Sequence, residues 1–244
     1  MNCCNDDNVN RNDLVLTNKA PKRALLSNEG EVNAPEKPKY TLNKVDETFF
    51  KLSEEQKKAL LTYGVYDFSN SKFDLGYNCD YEIVKEEEDG AAYIAQTDGK
   101  RLNGRGHFQE KNGDFFIGIF KDDKLNGNGA EYLYNGDYFI GTFKNNRKEK
   151  GLQITAAGHR YNGEFQNDQY HGYGQFSNKD GRTYEGTYFQ GKRDGKGTFK
   201  WANGAVYDGE FKNNLQHGKG TYKDGNGKVF AGVFENGNHI PGSG

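Results

Sequence analysis

Cysteine and proline are scarce in this chain of 244 residues, and long apolar runs are missing from it. Three cysteines, Cys3, Cys4 and Cys79, are too few and too unevenly placed for a disulfide framework, and their spacing fits no common zinc site. No stretch approaches the roughly 18 apolar residues of a membrane-spanning helix, and there is no secretory signal. These absences exclude a disulfide-stabilised secreted domain and a helical membrane protein. We therefore expect a reducing, cytoplasmic compartment.

Glycine is rare in the first 90 residues and abundant afterwards. Only Gly30, Gly64, Gly76 and Gly90 lie in that first part, whereas the whole chain has 33 glycines. Hydrophobic residues make up 33% of the chain and aromatic residues alone 14%, so aromatic rings supply an unusual share of the apolar surface. A globular core normally draws on Leu, Ile and Val. The composition therefore places a boundary near residue 90 and predicts a thin, aromatic-rich structure beyond it.

Charge of one sign does not dominate either part of the chain. Residues 1–92 hold 12 Lys and Arg against 18 Asp and Glu, and residues 93–244 hold 21 against 17. This mild positive balance falls far short of the dense basic patch that nucleic-acid binding needs. The charge balance therefore argues against a nucleic-acid partner and is compatible with an acidic partner.

Six aromatic residues recur every 22 or 23 residues. They are Phe116, Phe139, Tyr161, Tyr184, Tyr207 and Phe230. The copy at Tyr184 reads Tyr-x-Gly-x-Tyr and continues with Gly195-x-Gly197-x-Phe199. A fixed period of this size indicates stacked supersecondary units rather than one globular core. Such chains usually bind and space other proteins.

Each copy alternates in the manner of a β-strand. In the copy at Tyr161, the side chains of residues 161, 163 and 165 share one face, and Asn162 and Glu164 share the other. A second alternating run leads to Phe176, and about six residues between the runs suggest a hairpin loop. Glycines let neighbouring rings lie flat against the backbone. We predict a mainly β fold, an elongated single-layer antiparallel solenoid of β-hairpins, with a short helical or irregular N-terminal region.

The pattern resembles the MORN repeat (membrane occupation and recognition nexus) over about residues 93–242. The copies at Tyr161, Tyr184 and Tyr207 are close to that family's consensus, and the copy at Phe116 keeps its main glycines. The copy at Phe139 is one residue short and lacks the paired glycines over residues 145–151, which indicates a kink or a contact site. Degenerate copies at Tyr93 and Phe230 look like capping repeats. The resemblance implies a non-catalytic scaffold or adaptor of the kind found in cilia, cortical cytoskeleton and membrane junctions.

Three regions follow from these patterns. Residues 1–47 are a polar tail, residues 48–92 form an N-terminal capping segment, and residues 93–244 form an array of six to seven repeats. Ser53 and Gln56 make a capping box, which predicts a short helix that ends near Gly64.

The capping segment is expected to cover an apolar patch. Ile117, Ile119 and Ile140 lie on the face opposite the aromatic positions, where later repeats are polar. We predict that residues 48–80 fold back over the first two or three repeats, with Phe49, Phe50, Leu60 and Leu61 as the cover. That arrangement leaves the Tyr161–Tyr222 region free for partners. The alternative is that the three isoleucines dock another protein.

Apparent active-site motifs are explained by the repeat. Residues 186–192 have the glycine and lysine spacing of a phosphate loop, but Arg193 replaces the hydroxyl residue and no helix is predicted to follow. His171 and His217 occupy the same position two repeats apart, too far to share a metal ion. We expect no catalytic residue, no metal, no cofactor and no small-molecule substrate.

Two functional hypotheses remain. The first is a protein-binding scaffold in a cytoskeletal, ciliary assembly, which holds a helix or an extended segment of a partner in a groove lined by six aromatic residues. These residues are Tyr161, Phe165, Tyr184, Tyr188, Tyr207 and Phe211. The second is an adaptor on the cytoplasmic face of a membrane, which contacts acidic lipids and is acylated at Cys3 and Cys4. Sequence alone does not separate the first from a regulatory subunit of an enzyme.

Overall fold

The computed structural model describes residues 50–63, 81–84, 90–98 and 100–242, with the backbone alone for Tyr63 and residues 81–84. These parts of the chain contain one α-helix and fifteen β-strands. They divide into two compact units, one ending at Asn146 and the other beginning at Arg147. The division thus lies inside the repeat array, at the copy that departs from the repeat pattern.

The first unit contains the helix and the first six strands. Their bounds are α1 Glu54–Tyr63, β1 Tyr81–Val84, β2 Ala92–Thr97, β3 Leu102–Gln109, β4 Phe115–Lys121, β5 Lys124–Tyr132 and β6 Tyr138–Lys144. Each strand pairs in antiparallel fashion with the next one in sequence. Strand β1 lies in the segment where the sequence predicts only a short helix, and it extends the sheet beyond the first repeat.

The second unit consists of nine strands. They are β7 Arg147–Ile154, β8 Arg160–Gln166, β9 Gln169–Ser177, β10 Thr183–Phe189, β11 Lys192–Lys200, β12 Val206–Lys212, β13 Leu215–Lys223, β14 Val229–Glu235 and β15 Asn238–Ile240. Every neighbouring pair is again antiparallel. This series of consecutive antiparallel hairpins confirms the predicted fold class.

The turn within each hairpin is shorter than the sequence suggests. Asn167 and Asp168 join β8 to β9 with φ angles of 51° and 59°. Two successive residues with positive φ form a type I′ turn, which Asn and Asp tolerate because they reach the left-handed region at low cost. The predicted loop of about six residues is therefore wrong, since Gln169 and Tyr170 already belong to β9. Equivalent turns lie at Asp122–Asp123, Asn145–Asn146, Gln190–Gly191, Asn213–Asn214 and Asn236–Gly237.

These turns also connect one repeat to the one before it. The backbone N–H of Asn214 donates to the carbonyl oxygen of Arg193 (2.9 Å), and the Asn214 side-chain oxygen accepts from the Arg193 N–H (2.8 Å). Asp123 makes the same two bonds to Leu102 in the first unit. Because each turn satisfies backbone groups of the preceding hairpin, it fixes the register between repeats as well as within them.

In each central repeat, one aromatic ring packs directly against the backbone of two paired glycines. A Cβ added to Gly197 would stand 2.4 Å from the Tyr184 hydroxyl oxygen and 2.6 Å from its ring carbons. A Cβ at Gly186 would stand 2.5 Å from the Gly197 Cα. None of these distances is possible between real atoms. Both positions therefore require glycine because the ring and the neighbouring strand approach the backbone closely, and not because of an unusual backbone angle.

Candidate interaction surface

The six residues predicted to line a partner groove lie in a buried series of rings. Their exposed fractions are 0% for Tyr161, 7% for Phe165, 1% for Tyr184, 7% for Tyr188, 0% for Tyr207 and 5% for Phe211. Edge-to-face contacts run from Phe165 through these rings to Phe234, with centroids 4.9–5.3 Å apart. We call these seven residues the aromatic ladder. The rings pack hairpin against hairpin, and partner binding on this face stays a prediction.

Three of the four tyrosines of the ladder keep their hydroxyl groups hydrogen-bonded inside the sheet. The Tyr184 O–H donates to the carbonyl oxygen of Thr187 (3.0 Å), and Tyr207 donates in the same way to Glu210 (3.0 Å). Burial raises the pKa of Tyr207 to about 12, and it also raises the pKa of Tyr161 and Tyr184. Because loss of a proton is disfavoured at these sites, the hydroxyl groups serve packing and hydrogen bonding.

A position that the sequence does not mark covers the rings of the ladder. Tyr170 stacks on Tyr161 with centroids 3.7 Å apart, and the Arg193 guanidinium lies 4.9 Å from the Phe199 ring and 5.8 Å from the Tyr184 ring. Both are the second residue after a type I′ turn. The equivalent residues Leu125, Lys148 and Gln216 are buried, whereas Tyr170 and Arg193 are half-buried. Because the residue type at this position differs between repeats, composition does not reveal it. Its constant distance in sequence from the turn does reveal it.

The N-terminal segment covers the isoleucine face of the first unit. The Phe50 ring lies 4.9 Å from Phe115, and Lys51 exchanges two backbone hydrogen bonds of 3.0 Å with the Gln109 side chain. Phe115 shares a face of β4 with Ile117 and Ile119, whose exposed fractions are 0% and 2%. The predicted fold-back is therefore confirmed for the described start of the segment. Phe49 and residues 64–80 lie outside the described residues.

Helix α1 is held in place by one glutamine. The Gln56 side-chain oxygen accepts a bond from the Ser53 N–H (2.8 Å), and the Gln56 backbone N–H donates to Ser53 Oγ (3.1 Å), which confirms the capping box. Its side-chain NH₂ donates to the carbonyl oxygens of Gly113 (2.7 Å) and Tyr132 (2.9 Å). Leu60 is buried, but Leu61 is 87% exposed, so the expectation that both cover the sheet is wrong for Leu61. Consecutive helical residues point about 100° apart and cannot share one face.

The opposite face of the sheet in the second unit is polar and carries both charges. Carboxylates lie on β10 and β12, and lysines lie on the strands between and beside them. In the pairing of β11 with β12, for example, Lys196 lies directly across from Glu210. The charged residues of this face from β10 to β13 include Glu185, Asp208, Glu210, Lys196, Lys200, Lys219 and Lys223. Since acidic and basic strands alternate, the lysines form no continuous basic patch.

Two aromatic side chains stand out on this polar face. Tyr173 on β9 is 51% exposed and Phe189 on β10 is 54% exposed. The Tyr173 hydroxyl donates to the Glu185 carboxylate, and the Phe189 ring lies 5.5 Å from the His171 ring. Neither residue belongs to the aromatic ladder. Within the second unit they are the two aromatic side chains of this face that are more than half exposed.

The apparent catalytic motifs occupy ordinary hairpin positions. Residues 186–192 cross from β10 to β11 through the Gln190–Gly191 turn, so a strand follows where a phosphate loop needs a helix. His171 pairs with Glu164 and His217 with Glu210, in separate repeats. Within the described residues no three His, Cys, Asp or Glu side chains are grouped so as to hold a metal ion.

The membrane-related predictions concern other parts of the chain. Cys3, Cys4 and Cys79 lie outside the described residues. No helix in the described part of the chain is long and apolar enough to cross a bilayer.

Two solved structures show a weak likeness to this chain. One is the TCP domain of SAS-4 (dCPAP) of Drosophila melanogaster in complex with a proline-rich motif of Ana2 (dSTIL), with 11% identity, a TM-score of 0.36, and coverage of 69% of this chain and 86% of that chain. Another is the TCP10 domain of Danio rerio CPAP in complex with a peptide of STIL, with 14% identity, a TM-score of 0.34, and coverage of 60% and 70%. TM-scores this low give the likeness no weight in assigning a function. No curated protein sequence matches the chain significantly.

The sequence of the hairpins matches a known repeat family. The model of the MORN repeat matches residues 116–138, 161–181, 184–206 and 207–229. These ranges correspond to the hairpins β4–β5, β8–β9, β10–β11 and β12–β13. The matches pass over residues 139–160, which contain the irregular copy at Phe139. With four matched repeats, each folded as the same antiparallel hairpin, the chain belongs to the MORN-repeat family.

Proposed function

We propose that this protein is a non-catalytic adaptor that binds other proteins through its repeat array and positions them in a cytoskeletal assembly, such as that of a cilium. MORN repeats suggest a repeat-based role in protein interaction or membrane association, and proteins built from them are generally non-catalytic adaptors. The choice of a protein partner over a lipid surface rests on the polar face of the second unit.

The observation that carries this proposal is the alternation of charge on that face. A surface for acidic lipids needs clustered lysines, each of which adds attraction only when carboxylates do not interrupt the cluster. Here the exposed Lys196 lies across from Glu210, and the neighbouring strand β10 contributes Glu185. Interleaved charges together with two exposed aromatic side chains are the composition of a surface that recognises another protein.

The experiment is capture of partners by the tagged full chain, followed by binding measurements with the purified partner and with lipid vesicles. We expect a purified partner to bind in about 150 mM salt without lipid, and phosphoinositide vesicles to bind weakly or not at all. Vesicle binding by unmodified chain, without any protein partner, would support the peripheral membrane adaptor instead.

A charge-reversal pair identifies the face that the partner uses. Lys196→Glu changes the centre of the polar face, and Lys179→Glu makes the same change in the exposed loop between β9 and β10. We expect the first to weaken binding of the partner and the second to leave it unchanged, because the loop lies beyond the strands of the face. Equal effects of the two substitutions would argue against binding through this face.

A further inference from the structure

Tyr173 and Phe189 are aromatic at positions where the fold does not require an aromatic residue. Tyr173 stands between the two glycines of its repeat, and the same position carries Arg105, Asn128, Lys196 and Lys219 in other repeats. The position of Phe189 carries Lys121, Lys144, Gln166, Lys212 and Glu235 in other repeats. All these repeats form the same hairpin. The two rings are therefore additions to the fold, and more than half of each is open to solvent.

The two rings lie close together on one face. In the pairing of β9 with β10, Tyr173 lies across from Thr187, and Phe189 follows two residues later on the same face. The His171 ring lies beside Phe189, with centroids 5.5 Å apart. The rings thus border a small area on neighbouring strands, which one side chain of a partner can cover.

Carboxylates border this area on both sides. Glu185 on β10 accepts the hydrogen bond from the Tyr173 hydroxyl, which lowers the pKa of the Glu185 carboxyl. Glu164 on β8 pairs with His171, and its carboxylate lies over Gly172, where a Cβ would stand 2.1 Å from Oε2. Both glutamates are exposed. An aromatic surface with a negative charge on each side attracts a cation.

We propose that Tyr173, Phe189, Glu164 and Glu185 together bind one arginine or lysine side chain of a partner protein. This proposal rests on the proposed adaptor function and names the partner chemistry of that surface. A guanidinium group stacks on aromatic faces and accepts no bonds, so its N–H groups are left to reach the carboxylates. The same hairpin already contains such a contact internally, where Arg193 lies 4.9 Å from the Phe199 ring.

Neighbouring lysines narrow the choice of partner. Lys192 pairs with Phe189, and Lys196 lies four residues further along β11. A uniformly basic segment would be repelled by these two side chains. The partner segment therefore presents a single arginine or lysine among neutral or acidic residues, not a polybasic tract.

The test is selection of random linear peptides on the immobilised full chain, followed by binding measurements with the best peptide. The substituted chain carries Tyr173→Lys and Phe189→Lys, which place in two neighbouring repeats a residue that other repeats carry at the same positions. Its unfolding midpoint is measured first, and Glu185→Gln provides a second variant if the pair folds poorly. Asp208→Asn is the matched control, because Asp208 occupies the position of Glu185 in the next repeat.

We expect selected peptides to share one basic residue, and the best peptide to lose affinity at least about tenfold with Tyr173→Lys plus Phe189→Lys and with Glu185→Gln. Asp208→Asn should leave the affinity unchanged. Peptides without a common basic residue, or equal binding by the substituted chains, would overturn the proposal. If cellular partners are captured equally by the wild-type and substituted chains, this inference fails while the adaptor function stands. If the wild-type chain captures no partner, the adaptor function itself fails.

Discussion

Truncation of Tyr184 to alanine should destabilise the second unit by about 3–5 kcal/mol, as expected for a buried aromatic side chain. The ring is 1% exposed and makes edge-to-face contacts with Tyr188 and Phe211, each at 5.1 Å. Beneath it lie Gly186 and Gly197, which have no side chains that could move into the space. A cavity that cannot refill costs the upper part of the range.

Tyr184→Phe separates the ring from its hydroxyl group. This substitution keeps the contacts of the ring and removes the hydrogen bond to the Thr187 carbonyl oxygen, 3.0 Å long. A single neutral hydrogen bond contributes about 1 kcal/mol. Equilibrium denaturation in urea measures both variants, and the alanine variant should be the less stable by a clear margin. Similar losses in the two variants would show that the ring does not hold the hairpins together.

The location of the damage is a second readout. The Tyr184 ring packs against its own hairpin and Phe211 of the next one, and its strand pairs with β9 of the preceding one, so hydrogen-exchange protection should fall first in β9 to β12. Strands β1 to β6 belong to the other compact unit and should keep their protection. A uniform loss of protection in all strands would refute the nearest-neighbour description of this array.

Three further substitutions or titrations test other contacts. Gly197→Ala should cost about 1–3 kcal/mol in the same urea assay because its methyl group would overlap the Tyr184 ring. Gly204→Ala, with open space around its Cβ but a φ of +83°, reports the separate cost of backbone strain without overlap. Gln56→Ala should release residues 50–63 from the first unit, seen as faster proteolysis there, because two buried carbonyl oxygens lose their donor, whereas exposed Glu55→Ala should not. In an alkaline titration followed by tyrosinate absorbance, Tyr207 should ionise near pH 12, and the pKa of Tyr173 should also be raised because its hydroxyl donates to the Glu185 carboxylate. The pKa of Tyr207 is higher in the folded chain than the roughly 10 of an unfolded chain. The contribution of Tyr207 to stability is therefore complete below about pH 10 and disappears as the pH rises towards 12. A stability that stays constant across this range would contradict the burial of Tyr207.

Much of the fold follows from local sequence pattern. The alternation around Tyr184 predicts the strands, and the paired glycines predict where the aromatic rings pack against the backbone. Ser53 with Gln56 predicts the start of α1. These features depend on interactions between residues close in sequence. The sequence predicts a loop of about six residues around Asn167–Asp168, but left-handed backbone at both residues lets these two residues alone reverse the chain.

The candidate surface was harder to predict. In sequence, an alternating row of aromatic residues looks the same whether it faces a partner or packs against its own repeats. The burial of Tyr161 and Tyr207 is therefore known only from the structure. Tyr173 and Phe189 do carry a sequence signal, since both depart from the charged or polar residues of sister repeats. That signal becomes meaningful only once the register of β9 and β10 places the two on one face.

Binding of a purified cellular partner to the purified full chain, without lipid and in about 150 mM salt, is the most direct test of the adaptor function. The interaction is measured by titration calorimetry for the wild-type chain, for Lys196→Glu and for Lys179→Glu. We expect a defined complex with the wild-type chain, weaker binding with Lys196→Glu, and unchanged binding with Lys179→Glu. Absence of any protein complex, together with tight binding of the chain to acidic vesicles, would contradict the adaptor function and support a role at a membrane surface.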